Sequence, residues 1–524
     1  MVLVCVAACS SGDDERSSVT TTEPATTAAG TTEPATTERA STAVQTTEPA
    51  TTEPATTESP TTRPAPGLAT LAERTCPPDA PPNARCSTLT VLANHADPGG
   101  ATIELPVIVL SATGPSPAPD PIVIPAGGPG YPGAEDFGWA GSAWNERRDI
   151  VLYDQRGTGG AVPSLECPAV DAAFVDALRV DAPYVQERDA MTVARDACLA
   201  ELAAAGVDLA DYNTESSAAD LAALRTALGY DQWNIMGISY GGRLALAAMR
   251  SQPEGIRAVI LDSVYDVTYG GLADTVEGIE QAFTRFFDGC AVDEACVAKY
   301  GDVAATTEQV RQTYNAAPAT ATADLGAGAG PEGFVITGDD MMAGLFNALY
   351  DDALIPLLPG IITGLAAGDT SVLPALIERG VGFATSYADG MAAAVNCADN
   401  AGLGSEDADA ATFEEPGRLG LVVAQNGPCG EDVVATPGAF NEPVTSDIPA
   451  LVLAGSYDPI TPPAGTRAVA DRLGARFFLV EPGGHGVNSF DDCLIAIGTA
   501  FLDDPTAGPG GESCVAATAP VTFG

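Results

Sequence analysis

Residues 232–251 constrain the fold more than any other part of the chain. They read as a short apolar strand at 232–237, a Gly237-Ile238-Ser239-Tyr240-Gly241 turn, and an apolar helix from about 241 to 251. A G-x-S-x-G pattern alone is weak, because glycine and serine are common. Between a strand and a helix it is specific: the glycines permit a sharp turn that lifts the serine hydroxyl above the end of a sheet. The surrounding sequence repeats the same alternation. Short apolar runs at 121–125, 149–153, 256–262, 449–455 and 476–481 read as strands. Leucines 221, 224 and 228 give 216–228 a helical period that Gly229 is placed to end, and a last helix falls near 490–502. Strands alternating with helices indicate an α/β fold whose mainly parallel central sheet is flanked by helices. Two further strands, 87–93 and 101–110, are joined by a turn at Asp97-Pro98-Gly99-Gly100.

The alternation breaks after Asp262. The next strand of the same kind comes only at 449–455, and the stretch between is rich in Ala, Leu and Gly with helical spacing. This predicts a core in two parts, 76–264 and 446–524, with a mainly helical cap inserted at 265–445. Ahead of the core, 10–67 is low-complexity, with TTEPATT at 21–27, 31–37, 46–52 and 51–57. Such a composition cannot bury enough apolar surface to offset chain entropy, so a disordered spacer is expected. Residues 1–9 are apolar and end in Val6-Ala7-Ala8-Cys9. They resemble the end of a lipoprotein signal peptide lacking its charged start, with Cys9 the lipidated residue. That predicts an extracytoplasmic protein, lipid-anchored at the surface or secreted.

An exported chain meets an oxidising compartment, where cysteines pair. Of the 12 cysteines, ten remain once Cys5 and Cys9 are set aside. Their spacing suggests pairs between sequence neighbours: Cys76–Cys86, Cys167–Cys198, Cys290–Cys296, Cys397–Cys429 and Cys493–Cys514. The formal charge is −47, and Lys299 is the sole lysine. Such a surface repels polyanions, which excludes nucleic acid as a partner and leaves a lipid anchor as the one route to a membrane. No metal site is expected, since only two histidines occur and no close cysteine pair is echoed by a second.

A serine hydroxyl is a poor nucleophile at neutral pH without a base. His95 lies in the early hairpin and reads as a surface residue. His485 lies in Pro482-Gly483-Gly484-His485-Gly486, just after a strand. Active sites of such sheets assemble in loops at the carboxyl ends of strands, which nominates His485 as the base. Its orienting carboxylate is expected at Asp458, after strand 449–455, with Asp262 and Asp447 as competitors. The order Ser239, Asp458, His485 is the order of hydrolytic enzymes with this kind of turn. An oxyanion would be held by the Tyr240 N–H and by a second N–H from Gly127-Gly128-Pro129-Gly130, taken as Gly128 with Gly130 the alternative. No cofactor is implied.

At this point AGGPG, YDQRGTG, GISYGG, SYDPITP and GGHG, in this order, resemble the exported tripeptidyl aminopeptidase and proline iminopeptidase branch of the α/β-hydrolases, over roughly 76–516. The resemblance implies a serine peptidase that cleaves residues or short peptides from free N-termini through an acyl-enzyme on Ser239. It also implies a cap that limits the site to chain ends, and an acidic cap residue for the substrate ammonium. Asp399, in Asn-Cys-Ala-Asp, is the candidate, against an ordinary structural role. Ala126 stands where proline iminopeptidases usually carry histidine, which favours the tripeptidyl side. Asp154 and Arg156 are read as a buried ion pair or loop anchors. The competing readings are a carboxylic-ester hydrolase on the same residues and a non-catalytic surface-binding lipoprotein; serine at the elbow excludes epoxide hydrolases and dehalogenases, which place aspartate there. A monomer is the working expectation.

Overall fold

A computed structural model describes residues 69–524 except 327, 329, 428, 430–433, 488–491, 508–509, 511–514, 516–522 and 524. The expectations for 1–9, 10–67, Cys9 and Cys514 therefore fall outside the described residues. Eleven strands are named among those described: β1 (Thr70–Glu73), β2 (Ala84–Leu92), β3 (Thr102–Leu110), β4 (Ile122–Val123), β5 (Ile150–Tyr153), β6 (Trp233–Ile238), β7 (Ile256–Asp262), β8 (Ala319–Ala323), β9 (Glu332–Ile336), β10 (Ala450–Gly455) and β11 (Arg476–Val480). Nine form one sheet in the order β1-β2-β3-β5-β4-β6-β7-β10-β11. β1, β2, β3 and β5 pair antiparallel in succession, and β5, β4, β6, β7, β10 and β11 are parallel. Ordered structure thus starts before Cys76. Thr70–Glu73 carries no apolar alternation, and its strand is set by backbone pairing along β2.

Both faces of the sheet are covered, and the period of two along each strand shows it. Val151, Tyr153, Val259 and Leu261 point into one apolar cluster; Ile150, Leu152, Ala258 and Ile260 point into the other. All eight are essentially inaccessible. A buried Val, Leu or Ile contributes about 1.5–3 kcal/mol, so these continuous runs secure the parallel strands. The helix Thr214–Leu228 starts where the Asn213 side chain accepts the Ser216 N–H (2.9 Å), and ends at Gly229 with φ 79°.

Between β7 and β10 the chain forms helices, among them Leu272–Val292, Val303–Ala316, Gly338–Ala348, Leu373–Ala384 and Asp389–Asn400, together with a β8–β9 hairpin. Two apolar clusters knit this insertion. One joins Ile279, Phe283 and Phe286 to Phe346 and Leu358. The other brings in Phe174 and Met191 from the helices Pro168–Ala177 and Tyr184–Ala204, which follow β5. Those two helices thus share the insertion's core although they precede β6 in sequence. Cys76–Cys86, Cys167–Cys198, Cys290–Cys296 and Cys397–Cys429 are disulfides. Cys493 is also disulfide-bonded. Among the described residues, no helix is long and apolar enough to cross a membrane.

Candidate active site

Ser239 sits on the turn from β6 into the helix Tyr240–Ser251, with φ 59° and ψ −125°. A positive φ at a non-glycine residue is strained, and it persists only where the surroundings over-determine it. Here the Ser239 N–H donates to Asp262 O (3.1 Å). The flanking glycines are required by space: a Cβ at Gly237 would lie 2.4 Å from Gly241 O, and one at Gly241 would lie 2.3 Å from Pro125 O. The result is a half-buried serine between a buried strand and a buried helix. As the first residue of its helix, Tyr240 carries an N–H with no intrahelical acceptor.

β10 ends at Gly455, and its following turn holds Asp458, which is fully inaccessible. Asp458 Oδ2 is 2.9 Å from His485 Nδ1. Its other bonds come from the Ile460 N–H (3.0 Å), the Thr461 N–H (2.8 Å) and the Thr461 hydroxyl (2.6 Å). Burial alone would push this carboxyl up, but the His485 charge and these bonds outweigh it and hold it below its ordinary value. For His485, burial pulls the pKa down, while Asp458, the bond to it and the more distant Asp262 leave it raised above 6.5. Asp262 is thus near enough to be felt by the imidazole, but Asp458 is the carboxylate bonded to it.

The histidine loop is held from three sides. The His485 N–H donates to Tyr350 O (3.2 Å), and the Tyr350 ring stands edge-on to the imidazole with centroids 5.0 Å apart. The Gly486 N–H donates to Ser263 Oγ (3.0 Å), and a Cβ at Gly486 would lie 3.2 Å from Ile238 Cγ2, directly before Ser239. From the insertion, Arg285 donates to Ser456 O (3.0 Å) and Asp458 O (2.9 Å), tying the acid turn to the helix Leu272–Val292.

The glycine loop after β4 lies against the elbow: a Cβ at Gly127 would be 3.6 Å from Ser239 Cβ and 4.0 Å from its Oγ. Gly128 has φ 109°. The DQRGTG segment supports this loop. Gln155 donates to Ala126 O (2.8 Å), and Asp154 accepts the N–H groups of Gly133, Ala134 and Gly160, each at 2.9 Å. Asp154 is a loop anchor, and Arg156 pairs not with it but with Asp220 (2.8 and 2.7 Å). His95 Nε2 is 2.7 Å from Asp220 Oδ1, so this histidine belongs to a partly buried ion network, not to a free surface. Its hairpin folds back over the Asp220 helix, a contact of 125 residues' separation that local sequence could not reveal.

Asp399 is not open to a ligand. It is fully inaccessible and accepts from the Thr214 N–H (3.2 Å), the Thr214 hydroxyl (2.5 Å) and the Thr436 hydroxyl (2.5 Å), with Arg243 at 3.9 Å. Thr214 also bonds the Tyr240 hydroxyl (2.8 Å). Its lone pairs are committed to bracing the helix after the elbow, which removes it as an ammonium receptor. Sequence reasoning also passed over Thr461, Tyr350 and Arg285. Thr461 had a signal, three residues after Asp458 in an Asp-Pro-Ile-Thr turn; the other two lie in the insertion, over 100 residues from anything they touch in the site. Among the described residues, no group of three or more His, Cys, Asp and Glu could hold a metal.

Residues 120–293 match a family model described as alpha/beta hydrolase fold, and 423–514 match one described as TAP-like protein. The chain is 26% identical over 478 residues to the serine protease Hip1 of Mycobacterium tuberculosis, covering 83% of this chain and 88% of that one. It is 25% identical over 438 residues to the tripeptidyl aminopeptidase of Streptomyces coelicolor, covering 78% of each. It is 27% identical over 308 residues to a carboxylesterase B of Mycobacterium tuberculosis, covering 55% of this chain and 57% of that protein. With the elbow and the sheet order already in place, the chain has the α/β-hydrolase fold and is a serine hydrolase, similar over 423–514 to TAP-like proteins.

Proposed function

We propose that the protein is a serine exopeptidase acting on free peptide N-termini, with Ser239 as nucleophile, His485 as base and Asp458 as the group that orients it. The observation that carries this reading is the 2.9 Å bond from Asp458 to His485 Nδ1, in a histidine loop packed on the strand that presents Ser239. That bond selects the tautomer with the proton on Nδ1 and leaves Nε2 to take the serine proton. Ser239 Oγ attacks the substrate carbonyl, and the developing oxyanion takes the N–H groups of Tyr240 and Gly128. His485 then protonates the departing amine, and a water repeats the sequence to free the acyl group.

The peptidase reading draws on the relatives named as a serine protease and a tripeptidyl aminopeptidase. The insertion supports restriction to chain ends, because its Arg285 and Tyr350 reach the acid and base turns. The second reading, a carboxylic-ester hydrolase on the same residues, is favoured by the relative named carboxylesterase B. One assay separates them: a free-amine peptide amide, its N-acetylated copy and a simple aryl ester. Strong preference for the free amine is expected; equal cleavage of the acetylated copy would sink the exopeptidase reading. We also propose extracytoplasmic location, supported by four disulfides, with Cys9 as lipid anchor and 10–67 as the spacer to a monomeric catalytic domain.

A further inference from the structure

A cavity of about 270 Å³ lies between the insertion helix Leu272–Val292 and the start of the core helix Pro463–Leu473. The chain leaving β7 adds Tyr265 and Tyr269, whose rings meet edge-on with centroids 5.8 Å apart. Asp274, Glu277 and Gln281 recur at spacings of three and four, so they share the helix face that lines the cavity. Gly278 on that face lets the wall come close, since a Cβ there would lie 2.9 Å from the Tyr269 hydroxyl oxygen. Burial deepens inwards: Glu277 and Gln281 are exposed, Tyr265, Tyr269 and Asp274 half-buried, Asp266 and Thr466 buried. Ser239, His485 and the glycine loop take no part in the lining; Thr461 does.

The deepest acid is already satisfied. Asp266 accepts two bonds from Arg472, both 2.8 Å, and one from the Thr268 hydroxyl (2.6 Å). Arg243 stacks on Tyr265, 3.8 Å from its centroid, and donates to Asp266 O (2.9 Å) and Asn400 Oδ1 (3.0 Å) without lining the cavity. Among the described residues, neither Asp274 nor Glu277 pairs with Arg, Lys or His; Gln281 donates to Glu277 (3.1 Å). A separate observation concerns Thr466. It is 1% exposed, and its hydroxyl is buried with no hydrogen-bond partner. Other helical threonines here donate to the carbonyl four residues back, as Thr226 and Thr275 do at 2.9 Å. For Thr466 that carbonyl is Pro462 O, which already takes the N–H groups of Gly465 (2.9 Å) and Thr466 itself (3.3 Å). A buried hydroxyl left unpaired is costly, and a ligand donor in the cavity would recover that cost.

We infer that this cavity is a binding site, separate from the catalytic centre, for a small aliphatic cation with a nitrogen group at each end. One ammonium or guanidinium sits between Asp274 and Glu277 and supplies the charge they lack. The stem lies along Tyr265 and Tyr269, whose rings favour a neighbouring cation. The second nitrogen donates to the Thr466 hydroxyl, beside Asp266. A metal ion fits less well, because it needs more oxygen or nitrogen ligands than two carboxylates, and the described residues supply no such group.

The test titrates the full chain with agmatine by isothermal calorimetry at fixed ionic strength, with pentanol as an uncharged chain of similar length. Saturable binding of agmatine is expected, and none of pentanol. The double variant Asp274→Asn, Glu277→Gln should weaken agmatine binding by about tenfold. Thr466→Val leaves the charge unaltered and should weaken it by about threefold or more, which diffuse attraction to an acidic surface would not show. A cooperative thermal melt reports the folding of each variant; if Thr466→Val does not fold, Thr466→Ala is read in its place. No saturable binding to wild type, or unchanged affinity in either folded variant, overturns the inference. Competitive inhibition by agmatine of the hydrolysed amide or ester also overturns it, by placing the cation in the catalytic cleft.

Discussion

At the scale of single residues, the proposed reaction depends on a proton held at one nitrogen. The Asp458–His485 bond sets the imidazole tautomer and raises its pKa above 6.5. A raised histidine stays protonated, and so useless as a base, to a higher pH than a free one. kcat/KM should therefore rise with pH along a limb centred above 6.5; a limb at or below that of free histidine in a pH–rate profile would contradict the geometry. Asp458→Asn offers the wrong partner to Nδ1 and should lower kcat by roughly 10³–10⁴-fold with little change in thermal midpoint. Ser239→Ala should abolish turnover and fluorophosphonate labelling while the circular dichroism spectrum stays that of the wild type.

At the scale of elements, the site is a meeting of turns, each placed by its strand. Ser239 was legible because strand, glycines and helix are contiguous in sequence. His485 was legible because histidine is scarce, and Asp458 because its strand neighbours the histidine's; β10 and β11 do pair in register. Asp399 misled because Asn-Cys-Ala-Asp looks alike whether its carboxylate faces a cleft or two threonine hydroxyls. That difference depends on Thr214 and Thr436, which are 185 and 37 residues away. Two tests belong here. Gly241→Ala would bring a Cβ to 2.3 Å from Pro125 O, so differential scanning calorimetry should show a loss of about 1–3 kcal/mol alongside lost activity. Arg285→Ala removes the insertion's grip on Ser456 O and Asp458 O, and should lower kcat more than it lowers the thermal midpoint.

At the scale of the whole molecule, the disulfides Cys167–Cys198, Cys290–Cys296 and Cys397–Cys429 brace the insertion and the two helices that pack with it. Cys167–Cys198 and Cys397–Cys429 close separations of 31 and 32 residues. In the chain-entropy account each is worth about 3–4 kcal/mol, so a thermal melt with reductant should fall well below one without it. The sequence by itself indicated the α/β order, the elbow, four of the neighbour cysteine pairs and the nominees Asp458 and His485. These follow from local periodicity, from turn chemistry and from the scarcity of one residue type, all of which are written along the chain. Only the tertiary structure decided that helices 168–177 and 184–204 pack with the insertion, and that His95 and Asp399 are committed to buried partners. Whether a buried carboxylate has a partner depends on groups brought together across hundreds of residues, and burial, not local pattern, sets the cost of leaving it alone.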